Sequence, residues 1–181
     1  MCLHIQKQKQ EKNMKTAVVF YSLSGNTAFA AERIASRIQA DLIEVRTENA
    51  YPQKGIAKYF WAGKSSVMAE KPALQRYDFC GESYDQIIIG FPVWAGNFAP
   101  PIRTFLNENR DQLTGKRICV FACESGAGAE RAFKSLKEFL QIESFANELI
   151  LVDPKDKPED INGKKIEAFC EACLMQDNRE K

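Results

Sequence analysis

A short polar segment, Ser22-Leu23-Ser24-Gly25-Asn26-Thr27, lies between an apolar run and a helical pattern. The free backbone N–H groups and the dipole at the start of a helix favour an anion. A glycine lets the backbone approach that anion, and hydroxyl groups donate hydrogen bonds to its oxygens. Because the segment contains no Lys or Arg, we expect it to hold a phosphate monoester without a cation. The alternative is that Ser24 or Asn26 only caps the helix.

A second segment, Pro92-Val93-Trp94-Ala95-Gly96-Asn97, follows the third apolar run as a loop. The indole of Trp94 offers a flat apolar face to a flat ring, and Gly96 permits a positive φ. The alternative is that Trp94 only covers the end of a sheet.

A third segment, Glu124-Ser125-Gly126-Ala127-Gly128, follows the fourth apolar run and consists mostly of small residues. Its backbone can approach the edge of a ring closely. The alternative is an ordinary turn between a strand and a helix.

The elements that must position these segments alternate regularly along the chain. Short apolar runs predict buried strands, and apolar residues at helical spacing predict amphipathic helices. The predicted strands span residues 17–21, 42–45, 87–91, 117–122 and 148–152, and the predicted helices span 27–38, 101–113, 129–140 and 158–175.

This alternation predicts an α/β fold with a doubly wound, five-stranded parallel sheet, order 2-1-3-4-5, and helices on both faces. In that order, the loops after strands one, three and four meet at the carboxyl edge of the sheet. A phosphate loop, an aromatic face and a small flexible loop then outline a site for flavin mononucleotide (FMN).

Together the three segments resemble the flavodoxin family, in particular its small bacterial FMN proteins, over roughly Lys15 to Ile150. The resemblance implies that the first segment holds the FMN phosphate and the second frames the isoalloxazine ring, with Trp94 stacked on it. It also implies that the third segment contacts the pyrimidine side, and that a carbonyl near Ala95 or Gly96 meets flavin N5. The predicted cofactor-binding residues are Ser22, Leu23, Ser24, Gly25, Asn26, Thr27, Pro92, Val93, Trp94, Ala95, Gly96, Asn97, Glu124, Ser125, Gly126 and Gly128.

Two departures from the family pattern stand out. The chain is long between strands two and three, where the spacing predicts a helix near Gly55–Gly63. The second aromatic plate is missing, with Ser125 or Ala127 in its place. One ring face is then open to a substrate, or to an aromatic residue of the long connection (Tyr59, Phe60 or Trp61).

Composition narrows the class of protein. The chain has 25 basic and 24 acidic residues, which gives no support for nucleic-acid binding. No apolar run reaches the ~18 residues of a membrane span, and the first residues resemble no signal peptide. We expect a flexible tail over residues 1–14, one FMN-binding domain over 15–175 and a short tail over 176–181. The six cysteines are interpreted as reduced thiols of a cytoplasmic protein.

Other chemistry-bearing residues have simpler interpretations. Cys170 and Cys173 share a helix face with Ile166, which favours core packing over redox or metal binding. Cys123 follows a strand as a phosphatase nucleophile does, but the next basic residue, Arg131, is too distant for an anion loop. We predict no metal site and assign no catalytic residue, Glu124 included.

Two functions remain open from the sequence. The first is an FMN-dependent electron carrier, working with a redox partner protein or a small electron acceptor. The second is an NAD(P)H-dependent FMN or quinone oxidoreductase. A weaker third class keeps the fold but has lost the cofactor. The lack of a legible pyridine-nucleotide motif favours the carrier, whereas the open ring face and the balanced charge favour the enzyme.

Overall fold

The computed structural model describes residues 14–51, 71–157 and 160–175. The predicted helix near Gly55–Gly63, the aromatic residues Tyr59 to Trp61 and nearly all of both predicted tails lie outside the described residues.

One sheet organises the described chain. Its strands are β1 (Thr16–Phe20), β2 (Asp41–Glu44), β3 (Gln86–Trp94), β4 (Asn97–Phe98), β5 (Arg117–Glu124) and β6 (Asn147–Val152). The order is β2-β1-β3-β5-β6, and every neighbouring pair in that path is parallel. The predicted five-stranded parallel order is therefore confirmed. The two-residue strand β4 is an addition that pairs antiparallel with the end of β3.

The helices lie between the strands as the alternation predicts. They are α1 (Asn26–Ile38), α2 (Pro100–Glu108), α3 (Arg110–Leu113), α4 (Ala129–Leu140) and α5 (Asp160–Leu174), with a 3₁₀ turn at Gly81–Ser83. The single helix predicted over 101–113 is broken at Asn109, where φ is −112° and ψ is 17°. Its side-chain Nδ2 donates to Phe105 O at 2.8 Å, a local bond that competes with a regular helix.

Alternate residues of the strands build two apolar layers, one on each face of the sheet. One layer joins residues such as Val19, Ile89 and Val120 to helices α2 and α4. The other joins Val18, Ile88 and Phe121 to α1 and α5. Burial on both faces explains why the strands are continuous apolar runs rather than alternating ones.

Gly90 is required by close packing between strands β3 and β5. A Cβ placed on Gly90 would lie 2.1 Å from Cζ of the fully buried Phe121. The phenyl ring therefore occupies the space that any side chain at position 90 would need.

A row of polar side chains crosses the amino-terminal half of the sheet. Gln86 is completely buried, and its Nε2 donates to Thr16 Oγ1 at 3.2 Å. The Cys119 thiol donates to Gln86 Oε1 at 3.4 Å, and Asn147 Nδ2 lies 3.8 Å from that sulfur. These contacts link strands β1, β3, β5 and β6 and satisfy a buried amide that would otherwise be costly.

The Cys-x-x-Cys pair belongs to the core. Cys170 and Cys173 are 1% and 0% exposed and pack in the layer that contains Cys119 and Cys123. No cluster of metal-ligating side chains occurs among residues 14–51, 71–157 and 160–175. No helix in the same ranges is long and apolar enough to cross a membrane.

Candidate functional site

Helix α1 begins with its backbone N–H groups uncapped. Its N-cap is Gly25, with φ at 94°, and no side chain of the described chain caps the helix. Ser22 Oγ accepts from the Gly25 N–H at 3.2 Å and so stabilises the preceding turn instead. Capping by Ser24 or Asn26, the alternative from the sequence, is therefore absent. Uncapped amides at a helix start are donors of the kind that can bind an anion.

The other residues of this loop differ in burial. Ser24 is exposed at the tip, whereas Leu23 is anchored in the core layer of α2 and α4. Thr27 is only 1% exposed, and its side chain lies close to the Cys123 thiol. Burial raises the pKa of the Cys123 thiol from 9.0 to about 12, so this cysteine is an inert thiol beneath the loop.

The segment after the third apolar run is a tight hairpin rather than an open loop. Strand β3 continues to Trp94, which pairs with Asn97, and the turn consists of Ala95 and Gly96 alone. Both turn residues have positive φ, 50° and 71°, as a two-residue type I′ turn requires. The sequence allowed a positive φ at Gly96, but Ala95 gave no such signal.

Trp94 packs mainly against other aromatic rings. Tyr21 and Tyr51 contact it edge-on, with ring centroids 5.8 and 5.1 Å away, and 6% of Trp94 is exposed. The three rings join the carboxyl end of β1, the residues after β2 and the end of β3. Stacking of Trp94 on a flavin stays a prediction.

The loop after β5 closes against the β3–β4 turn. Gly128 has φ at 121°, and a Cβ on it would lie 3.0 Å from Gly96 Cα. The carboxylate of Glu124 accepts from the Ala129 N–H at 2.8 Å, so it serves the start of α4. Residues Ser125 to Ala127 are exposed.

A fourth loop, Asp153 to Lys157, completes this edge of the sheet, and sequence reasoning missed it. Ser125 Oγ donates to Asp153 Oδ1 at 2.7 Å, which ties the loop to the one after β5. The Lys155 N–H donates to Asn26 Oδ1 at 2.8 Å, which ties it to α1. A signal was present, since charged residues follow directly on the last strand and so lie at the same edge.

This loop brings a cation to α1. A Cβ placed on Gly25 would lie 2.9 Å from Lys155 Nζ, so the ammonium is next to the helix start. The expectation of a pocket without a cation is therefore wrong, because it considered only residues 22–27. A second cation, Arg131, lies beside the hairpin, with its Cδ 3.1 Å from a Cβ on Gly96.

The four loops thus meet around the carboxyl edge of the sheet. Comparison with known protein families assigns the chain to one of them. A family model described as flavodoxin matches residues 15–157. The chain belongs to the flavodoxin family. Among curated protein sequences, none matches the chain.

Solved structures agree with this flavodoxin assignment. A Lactobacillus acidophilus flavoprotein in complex with FMN is 26% identical, with a TM-score of 0.66 over 80% of this chain and 97% of that one. A Bacteroides eggerthii structure described as a flavoprotein is 23% identical, with a TM-score of 0.71 over 90% and 99%. Oxidised flavodoxin 1 from Bacillus cereus is 22% identical, with a TM-score of 0.51 over 90% and 99%. The last two establish the similarity of fold.

Proposed function

We propose that this flavodoxin-family protein binds FMN noncovalently at the carboxyl edge of its sheet and carries electrons. Family membership and the FMN complex of the Lactobacillus acidophilus relative support FMN as the cofactor. The electrons pass to a redox partner protein or a small acceptor.

The uncapped start of α1 is the observation that carries this proposal. Its N-terminal amides have no side-chain acceptor in the described chain, and Gly25 leaves their approach free of a Cβ. Helix α4 is the internal contrast, since the Glu124 carboxylate already accepts from its Ala129 N–H. A phosphate monoester satisfies the donors at α1 and would only compete with Glu124 at α4.

The residues of the other loops suit the rest of the cofactor. The Ala95–Gly96 turn and Gly128 bring two backbones together without side chains between them, which suits the edge of a flat ring. Trp94 and its tyrosine neighbours form a preorganised aromatic wall behind that turn. FMN supplies the electron chemistry when bound, and the protein supplies orientation and exclusion of water.

An NADH- or NADPH-dependent FMN or quinone reductase is the second candidate. Ser125, Gly126 and Ala127 are small and exposed, so the described loop after β5 has no aromatic residue to cover a ring. The formal charge of +1 also lacks the strong single sign that steers a dedicated carrier to an oppositely charged partner. Both features suit a protein that admits a small substrate.

The first experiment is to titrate purified apoprotein with FMN and follow flavin fluorescence and visible absorption. Saturable binding at one site per chain supports the proposal, and an absence of binding refutes it. The second is to mix holoprotein with NADH or NADPH without oxygen or a partner. Prompt bleaching favours the reductase, and an unchanged spectrum that a reducing partner protein then bleaches favours the carrier.

We also assign the protein to the cytoplasm. All cysteines of the described chain are free thiols, and four of the five are buried. Cell fractionation with thiol labelling tests this assignment, and recovery of the protein outside the cytoplasm would overturn it.

A further inference from the structure

Lys155 differs from the other charged residues of its loop because it has no acidic partner in the described chain. Asp153 accepts from Ser125 and pairs with Lys157 Nζ at 3.5 Å. Asp156 accepts from Asn26 Nδ2 at 2.9 Å. Both carboxylates of the loop are therefore engaged, and the ammonium of Lys155 is not neutralised by either.

The position of this ammonium is electrostatically unfavourable on its own. It lies beside Gly25, the N-cap of a 13-residue helix. The aligned peptide dipoles place about half a positive charge at that end. Two positive groups next to each other repel, unless an anion lies between them and attracts both.

The backbone beneath Lys155 is held in place. The amide of Asn26 accepts from the Lys155 N–H and donates to Asp156, so two bonds clamp the loop to α1. The preceding Pro154 is buried, and Lys157 N donates to Asp153 O at 2.7 Å. Little ordering of the main chain is then needed when the side chain engages a ligand, which favours binding.

We propose that Lys155 is the specificity-determining residue for the phosphate group of the flavin. Its ammonium pairs with a phosphate monoester that the amides of α1 hold from the other side. The protein then selects FMN over riboflavin, which has the same ring but no phosphate. This inference rests on the proposed function, since it concerns the same site.

The test uses Lys155→Met, which keeps most of the stem length but removes the charge, and Lys155→Arg, which keeps the charge. The control is Lys134→Met, an identical charge change on the exposed face of α4. The dissociation constants of FMN and riboflavin are measured by fluorescence titration at low and high salt, with folding checked by circular dichroism. Because Lys155 is exposed, we expect all variants to fold.

Loss of the charge should weaken FMN binding about tenfold, as for a charge-assisted hydrogen bond that is partly screened by water. Riboflavin binding should change less than about twofold, and the salt dependence of FMN binding should fall. Lys155→Arg and Lys134→Met should resemble the wild type.

Four other outcomes count against the proposal in distinguishable ways. Equal weakening of FMN and riboflavin by Lys155→Met, or unchanged FMN binding, overturns the role of Lys155 and leaves FMN binding intact. If Lys155→Met and Lys134→Met weaken FMN binding equally, the loss reflects the net charge of the protein, and the proposed role of Lys155 is also overturned. A wild-type protein that binds neither flavin refutes the proposed function and this inference together.

Discussion

Asn26 and Asp156 are 130 positions apart in the chain and share a hydrogen bond of 2.9 Å from Nδ2 to Oδ2. The other side of the same amide, Oδ1, accepts from the Lys155 N–H. One side chain in the first turn of α1 therefore holds Lys155 and Asp156 of the loop after β6 against the helix. These two hydrogen bonds of the Asn26 side chain help to hold the loop that carries Lys155.

Replacing Asn26 with Ala should release that loop. Two partly exposed hydrogen bonds are lost, so the free energy of unfolding should fall by about 1 kcal/mol. The amide of Lys155 should exchange with deuterium markedly faster, which hydrogen-exchange mass spectrometry measures. Asn107→Ala is the control, since within the described ranges Asn107 accepts only from Lys71, at the surface. An unchanged rate of deuterium exchange at the Lys155 amide would show that the two Asn26 hydrogen bonds do not hold the loop.

Replacing Gly90 with Ala should destabilise the sheet strongly. The new Cβ would lie 2.1 Å from Phe121 Cζ, and both residues are in the packed core. Overpacking of this kind costs about 1–3 kcal/mol or more, which urea unfolding measures. In the double variant Gly90→Ala/Phe121→Leu, part of that loss should be recovered, because the smaller side chain vacates the contact. Additive losses would contradict the packing relationship.

Trp94→Ala should reduce stability as well as any flavin affinity. The indole is 6% exposed and contacts both Tyr21 and Tyr51, so its removal leaves a cavity worth about 3–5 kcal/mol. Trp94→Phe keeps a ring and should recover much of that stability. Urea unfolding of the apoprotein separates this structural role from cofactor binding. A stable Trp94→Ala apoprotein would mean that the aromatic cluster contributes little.

The β3–β4 turn gives two substitutions with opposite expected signs. Ala95→Gly relieves a left-handed alanine at φ 50° and should stabilise the protein by about 0.5–1 kcal/mol after the entropy of glycine is counted. Gly96→Ala places a side chain at φ 71° near Arg131 and should destabilise it by about 1 kcal/mol or more. Thermal unfolding of both apoproteins is the measurement, and shifts of the same sign would rule out a type I′ turn.

The buried thiols predict a loss of stability in alkali. Burial raises the pKa of Cys123 from 9.0 to about 12 and that of Cys170 from 9.0 to about 11. A raised folded-state pKa means that the unfolded chain loses its proton first. Stability is therefore fully present below pH 9 and falls as the pH rises from 9 towards 11 and 12. Urea midpoints at pH 8, 9 and 10.5 test this.

Cys123→Ala is the control for the alkaline transition. Its stability should fall less steeply with pH than that of the wild type, although it is lower at pH 8 because a buried group is missing. In native wild-type protein at pH 8, the exposed Cys80 should react with a thiol reagent, whereas Cys123 and Cys170 should not. Equal labelling of all three would contradict the burial on which the prediction depends.

The sequence predicted the sheet because burial on both faces leaves a direct trace. Runs such as Ile87-Ile88-Ile89 between helical patterns admit few arrangements, and the rules of parallel connections then set the order. The segment 22–27 was recognisable for a similar reason, since its hydroxyls and glycine are local features at a predictable junction.

What the sequence did not predict depends on particular side-chain contacts and on an unusual backbone conformation. The charged residues after β6 did indicate a loop at this edge, but the link from Asn26 to Asp156, which brings that loop and its lysine to α1, has no local signature. The type I′ turn was hidden because alanine rarely adopts the φ of Ala95. The break at Asn109 depends on a side chain that bonds Phe105 O, which helix periodicity does not reveal.

The polar row of Thr16, Gln86, Cys119 and Asn147 has a consequence for how this molecule tolerates change. A strand that slipped by one residue would leave the buried Gln86 amide without its hydrogen-bond partners. Alternative alignments of the strands are therefore destabilised by contacts near their amino-terminal ends. The contacts that set the strand register thus lie far from the carboxyl edge of the sheet, where the four loops meet. Loops there can be lengthened, shortened or replaced during evolution while the strands keep their partners.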